Sequence, residues 1–426
     1  MKNNQKLLQS LFDTKIIALE KSSLFDTSVE PKSSDFDFGK VEGMLLGLAI
    51  GDSLGNTSES MFPDERKDLY GETRDYWPNP RADLEPLGLP SDDTQLAFWT
   101  LEHLLEQNGL LPDKLAEIFS TNRIFGIGNT VRRFVNNMRS GEAWYEAGPQ
   151  SEASGNGALM RIAPILVPHL KRGGTGLWAD TALCAMITHN DRTSTASCLA
   201  FVSMLWDLLD KTVEPDTAWW VNRFTAISGS LEGEVKLRSL PNPNMDDFEG
   251  SLTDYCSKYV VEAIESGTDY QTVIDSWYSG AYLLETVPAA LLILSNFGHD
   301  PEEAIVRAAN DTWDNDTIGA IVGAAVGALH GKSALPDRWV NNLSGRTNAS
   351  DDGKTATTGV LLPISSDVQQ ITITVLDSND PPYFGQTSPV DVNVSEDAYP
   401  VLWKAPQLDG IDPEGGALTW SVVPGV

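Results

Sequence analysis

Three short acidic stretches carry the residues best suited to chemistry. They are Gly51-Asp52-Ser53-Leu54-Gly55 with Glu59 just beyond, Ser91-Asp92-Asp93-Thr94, and Asp314-Asn315-Asp316-Thr317. In the second and third, two carboxylates and hydroxyls stand directly before an apolar helical pattern. A single acid at such a start needs no more than helix capping, because free backbone N–H groups and the helix dipole both favour an anion there. Two carboxylates with hydroxyls exceed that need. The surplus oxygens suit a hard divalent cation such as Mg²⁺ or Mn²⁺, which takes carboxylate, hydroxyl and water oxygens in octahedral geometry. The ion would also cancel the repulsion of crowded carboxylates. A cation so held can orient hydroxyl groups and lower the pKa of an attacking water. Either stretch alone is satisfied by capping; taken with Glu59, the set points to a metal centre.

Two glycine stripes indicate how such distant residues could meet. Gly43, Gly47, Gly51 and Gly55 recur at four-residue spacing, as do Gly319, Gly323, Gly327 and Gly331. Glycine within a helix costs about 1 kcal/mol relative to alanine, so two helices carrying four each need a reason. Residues four apart share one helix face, and each stripe is therefore a flat face that admits another helix closely. Each stripe also ends beside acids. The spacing predicts that the two helices pack together and bring their acids to one place.

The surrounding pattern is helical from Phe38 to about His330, with apolar residues three and four apart and Gly or Pro at the ends. Thr94–Gln107, Trp178–His189 and Ala196–Leu209 are examples, and a further helix is expected over Met160–Leu166. Strands are scarce, which predicts an all-α domain over 38–340. Residues 1–37 read as a loose polar leader and 341–358 as a polar linker rich in Ser, Thr, Asn and Gly. Residues 359–426 then alternate in short β-branched segments, Val360–Ile364, Gln370–Leu376, Val390–Val394 and Ala417–Val423, and the pattern breaks off at Val426 as though inside a β module.

Composition narrows the partners. Thirty basic residues face sixty acidic ones, a net charge of -30. That excludes a general nucleic-acid binder, whose affinity needs clustered Lys and Arg, but not a small anionic ligand met by metal ions or helix N-termini. Cys184, Cys198 and Cys256 form no C-x-x-C pair, so neither a disulfide framework nor a zinc site is expected, and a reducing, cytoplasmic compartment is the default. No secretory signal or membrane-length apolar run is visible in the sequence.

From about Val41 to Gly331 the ordered motifs resemble the ADP-ribosylglycohydrolase family, which includes dinitrogenase reductase-activating glycohydrolase. They are G-x-x-x-G-x-x-x-G-D-S-L-G with Glu59, then S-D-D-T-Q, G-N-G-A-L-M-R-I-A-P-I (Gly155–Ile165), Thr188-His189 with Ala196, and W-D-N-D-T-I-G-A-I-V-G-A (Trp313–Ala324). The resemblance implies an all-α, orthogonal multi-helix fold around two Mg²⁺ or Mn²⁺ ions. It implies Ser91, Asp92, Asp93, Asp314, Asp316 and Thr317 as metal ligands, and Glu59 as a mobile acid near the scissile bond. Gly155, Asn156 and Gly157 would hold diphosphate and ribose, and His189 would be a pocket residue. The family's usual Asp-Thr-Asp-Thr is Asp-Asn-Asp-Thr here, its usual preceding glycine is Trp313, and Ser91 replaces the commoner Thr. Access to the ions could therefore differ.

The implied reaction is hydrolysis of the glycosidic bond between ADP-ribose and a protein side chain or small molecule, with oxocarbenium character developing at the anomeric carbon. Glu59 or Asp92 can accept a proton, and the sequence leaves open which is the base. Arg123, Gly126, Gly128 and Asn129 are further candidates to shape the pocket, and Trp144, Tyr145 and Trp313 to stack on adenine, although most aromatics at helical spacing are core. Ile371–Phe384 resembles the junction between two cadherin-like repeats, with Asp377-Ser378-Asn379-Asp380, Glu396, Asp409 and Asp412 as oxygen ligands for Ca²⁺; the same text also makes an ordinary turn-rich linker. The competing reading is a non-catalytic ADP-ribose-binding or calcium-dependent adhesive protein of the cell surface.

Overall fold

The computed structural model describes residues 2–59, 61–78, 84–149, 154–242 and 247–344, and beyond them four short strands. Its centre is the antiparallel pair of glycine helices, Gly39–Asn56 and Asn315–His330. Both are apolar on all sides and nearly all their residues are buried, as expected of helices with no solvent face. The stripes meet as predicted. A methyl group on Gly47 would overlap the carbonyl of Gly323, one on Gly51 the carbonyl of Gly319, and one on Gly43 the carbonyl of Gly327. At the last contact, a methyl on Gly55 would overlap the backbone of Asn315 and Asp316. The helices thus touch backbone to backbone, which only glycine permits.

Other helices wrap this pair. Arg192–Asp210, Leu283–Phe297 and Pro301–Asp311 pack on the second glycine helix, and Asp92–Glu106 packs on the first. The expected helices Thr94–Gln107, Trp178–His189 and Ala196–Leu209 appear as Asp92–Glu106, Gly176–Met186 and Arg192–Asp210. Between residues 38 and 344, the one strand pair among the described residues is Leu237–Arg238 with Glu249–Gly250. No described helix is long and apolar enough to cross a membrane.

Two expectations are corrected. The supposed loose leader is docked: Lys2–Asp13 is a helix that packs on Gly176–Met186, with Leu8 and Leu11 buried. Asn4 Nδ2 donates to the Leu110 carbonyl at 2.9 Å and to Asp180 Oδ1 at 2.7 Å. Its polar composition hid an apolar face at Leu7, Leu8, Leu11 and Phe12, a helical spacing. Met160–Leu166 is not one helix but parts of two 3₁₀ segments, Leu159–Arg161 and Ala163–His169. Pro164 and Pro168 lack the amide donors an α-helix would use there.

Beyond residue 344, Thr358–Ile364 pairs antiparallel with Ile371–Leu376, and Tyr383–Phe384 with Gly410–Ile411. The expected strands at 390–394 and 417–423, and the residues Asp377, Ser378, Asn379, Asp380, Glu396, Asp409 and Asp412, lie outside the described residues.

Candidate metal centre

The three acidic stretches converge where the glycine helices meet the start of the Asp92–Glu106 helix. Asp52, Asp93 and Asp316 are all buried, and one carboxylate oxygen from each lies within 4.8 Å of the other two. The close approach of Gly51 to Gly319, and of Gly55 to Asp316, sets the distance between Asp52 and Asp316.

Asp52 also holds the second stretch in place. Its carboxylate accepts the Ser91 amide at 2.9 and 3.0 Å, the Thr94 amide at 3.0 Å and the Thr94 hydroxyl at 2.5 Å. It thereby satisfies donors at the start of the Asp92–Glu106 helix from outside that helix. Ser91 is the N-cap, and its hydroxyl donates to Asp93 Oδ2 at 2.8 Å. Asp93 Oδ1 is buried without a hydrogen-bond partner. Asp92 is buried, and Gly126, at a φ of 72°, lies against its carboxylate.

Asp314 precedes the second glycine helix without capping it through its side chain. Its Oδ2 accepts from Asn156 Nδ2 at 2.5 Å. Asp316 Oδ1 accepts the Thr317 amide at 2.9 Å. Asn315 turns elsewhere, donating to Ser58 Oγ at 3.1 Å and to the Ala309 carbonyl at 3.0 Å. It thereby ties the turn that leads into Glu59 to the second glycine helix. Glu59 itself is exposed, yet its charge reaches Asp92 and Asp316, so it marks the solvent side of the cluster.

Burial raises every carboxyl of this group. Asp52 and Asp314 are pushed up to about 6, each held back by its hydrogen bonds. Asp92, Asp93 and Asp316 go well above the usual range, first through burial and then through neighbouring charge: that of Asp93 on Asp92 and Asp316, and that of Asp52 and Asp314 on Asp93. Carboxylates buried this closely cannot all be charged unless a cation lies among them. The orphaned Asp93 oxygen and the all-oxygen donor set fit a hard divalent ion.

Beside the acids lies the glycine loop. Gly155 pairs with Tyr282, the Asn156 amide donates to the Ala281 carbonyl at 3.1 Å, and Ser194 Oγ donates to the Gly155 carbonyl at 2.8 Å. Asn156 Nδ2 also reaches Thr286 Oγ1 at 2.9 Å, so this one amide links the loop, the Leu283–Phe297 helix and Asp314. His189 is buried beneath the loop, where a Cβ on Gly157 would sit 2.8 Å from its Cε1. Arg161 Nη2 donates to Thr188 Oγ1 at 2.8 Å, and the same hydroxyl lies 2.9 Å from His189 Nδ1. Burial, then Arg161, lowers the His189 pKa to about 3, so the ring is neutral.

A family model described as ADP-ribosylglycohydrolase matches residues 33–361. The chain belongs to the ADP-ribosylglycohydrolase family. An uncharacterised protein of Archaeoglobus fulgidus is 30% identical over 314 residues, covering 72% of this chain and 92% of the relative. An ADP-ribosylarginine hydrolase of Serratia proteamaculans is 28% identical, covering 74% and 77%. The ADP-ribosyl-[dinitrogen reductase] glycohydrolase of Rhodospirillum rubrum is 26% identical, covering 71% and 89%. A solved structure titled ADP-ribosylglycohydrolase-related protein complex has the same fold, with a TM-score of 0.50 and 24% identity over 72% of this chain and 92% of that one. Membership in the ADP-ribosylglycohydrolase family makes the chain an enzyme that hydrolyses glycosyl bonds.

Against that family background, the structure gathers Ser91, Asp92, Asp93, Asp314, Asp316 and Thr317 in one place, with Glu59 at its rim and Gly155–Gly157 beside it. Sequence reasoning did not assign Asp52, although its stretch was singled out. The signal available was its position between Gly51 and Gly55, on the stripe that meets Asp316. Of the three aromatics considered, Trp144 and Tyr145 are half-buried against the core, whereas Trp313 is exposed beside Asp314.

Proposed function

We propose that the chain hydrolyses the glycosidic bond between ADP-ribose and an acceptor, using two Mg²⁺ or Mn²⁺ ions. The observation that carries this is the convergence of Asp52, Asp93 and Asp316, from three distant stretches, on one buried point. In this reading Ser91, Asp92, Asp93, Asp314, Asp316 and Thr317 hold the ions, with Asp52 supporting them and available as a further oxygen donor. The ions, when bound, supply positive charge that orients ribose hydroxyls and acidifies an attacking water.

The remaining work falls to the chain's own groups. Gly155 and Gly157 offer their backbone N–H groups to diphosphate, as tight glycine turns do, while the Asn156 N–H is held by the Ala281 carbonyl. His189, neutral and buried, supports that loop from below and keeps its shape. Asn156 couples the loop to Asp314, so substrate seated on one is registered against the other. Glu59, at the solvent rim, is placed to take the proton of the attacking water or to return one to the leaving group. The names of relatives from Serratia and Rhodospirillum support an ADP-ribosylated protein as substrate.

The test is release of ADP-ribose from arginine-linked and serine-linked ADP-ribosylated peptides with Mg²⁺ or Mn²⁺ present. Release that chelator or Asp316→Ala abolishes supports the reading. Tight ADP-ribose binding without release from either peptide contradicts it and favours a binding protein.

A further inference from the structure

Two exposed rings flank the centre. Phe62 and Trp313 are 55% and 40% exposed, and they stack with centroids 5.7 Å apart and planes inclined by 12°. Phe62 lies three residues beyond Glu59, and Trp313 immediately precedes Asp314. The rings therefore ride on the two loops that deliver those acids to the site.

The stack is built rather than incidental. Arg66 is buried, and its guanidinium donates to the Met61 carbonyl at 2.9 Å and the Thr312 carbonyl at 3.1 Å, one residue before each ring. It also donates to the Ala309 and Asn310 carbonyls at 3.0 and 2.9 Å. The Trp313 amide donates to Ser279 Oγ at 2.9 Å, and a Cβ on Gly280 would sit 2.9 Å from Trp313 Cε3. One buried cation thus fixes both ring-bearing backbones, while the rings stay in water. Rings of this size are ordinarily buried, and exposed aromatic pairs beside a site mark contact surfaces.

Aromatic faces beside a carboxylate recognise a flat cation. A guanidinium stacks on such rings and hydrogen-bonds a carboxylate in its plane, whereas a hydroxyl-linked acceptor does neither. Of the exposed carboxylates near Phe62, namely Glu59, Asp64 and Glu65, Glu59 is the one whose charge reaches Asp92 and Asp316, in a chain with a net charge of -30.

We propose that the Phe62–Trp313 pair is the acceptor subsite, receiving the guanidinium of an ADP-ribosylated arginine with Glu59 beside it. This rests on the hydrolase reading above. The pair contacts the leaving group and not the nucleotide.

Steady-state hydrolysis of arginine- and serine-linked peptides by wild type, Trp313→Gly and Phe62→Leu tests this, with calorimetry of ADP-ribose alongside. The expected result is a fall of about tenfold in the arginine-to-serine ratio of kcat/KM, carried by KM, with ADP-ribose affinity held within about twofold. An unchanged ratio overturns the proposal. So does weakened ADP-ribose binding, which would place adenine on the rings. If wild type cleaves neither peptide, the hydrolase reading fails separately. The arginine peptide is then a stable ligand, and the proposal stands if Trp313→Gly weakens its calorimetric affinity and falls if it does not.

Discussion

The carbonyl of Gly323 occupies the space where a side chain on Gly47 would have to go, and the carbonyl of Gly47 does the same to Gly323. No rotamer relieves such a clash, because both partners are backbone. Gly47→Ala and Gly323→Ala should therefore each destabilise the domain by about 3 kcal/mol, overpacking outweighing the roughly 1 kcal/mol gained in helix propensity. Chemical denaturation reads this directly. An alanine variant as stable as wild type would mean the helices are not in contact.

The buried carboxylates make the metal-free protein the weaker one. In the proposed reading Mn²⁺ or Mg²⁺ binds the folded cluster and not the unfolded chain, so Tm should rise with ion concentration; a hundredfold excess over Kd corresponds to about 2.7 kcal/mol. In Asp93→Asn and Asp316→Asn the rise should shrink or vanish while folding persists, since each change removes charge from a crowded site. A metal response undiminished in both variants would place the ion elsewhere.

Asp52 combines two tasks that substitution should separate. In Asp52→Asn the amide can accept from only one oxygen, and its NH₂ must face donors from Ser91 or Thr94. We expect a loss of about 1–3 kcal/mol from unmatched buried groups, together with weaker metal affinity. Thr94→Val, which removes one hydroxyl donor, should cost about 1 kcal/mol and leave metal affinity near wild type. Equal metal loss in both variants would show that Asp52 acts on metal affinity only by positioning the helix.

How much of this was legible beforehand follows from the kind of signal each residue left. The stripes at Gly43–Gly55 and Gly319–Gly331 announced helix contact, because glycine in a helix is costly without one. The pairs Asp92-Asp93 and Asp314/Asp316 announced surplus oxygen at helix starts. Asp52 was passed over because its partners, Ser91 and Thr94, are about forty residues away and no local pattern links them. Arg66 sits in the polar run Pro63–Tyr70, which reads as a solvated face, yet it is buried by contact with carbonyls from residues 309–312. The Lys2–Asp13 helix was missed because its short apolar face lies within a polar stretch. In each case the deciding contact was distant in sequence.

Thr188 gives a prediction about the glycine loop. It joins Arg161 to His189 through one hydroxyl. Thr188→Val keeps the volume but leaves Arg161 and His189 Nδ1 each one partner short. ADP-ribose affinity, read by calorimetry, should fall several-fold, while the metal-dependent rise in Tm stays. Loss of the metal response instead would show that this chain supports the acids rather than the loop.

The central claim is that oxygens from three remote parts of the chain jointly hold divalent ions. Anomalous diffraction from crystals grown with Mn²⁺ examines it most directly. The account predicts anomalous peaks about 2.1 Å from carboxylate oxygens of Asp93 and Asp316, in the space those residues share with Asp52. Ordered crystals with Mn²⁺ bound only at other sites, and that space filled by water alone, would contradict it.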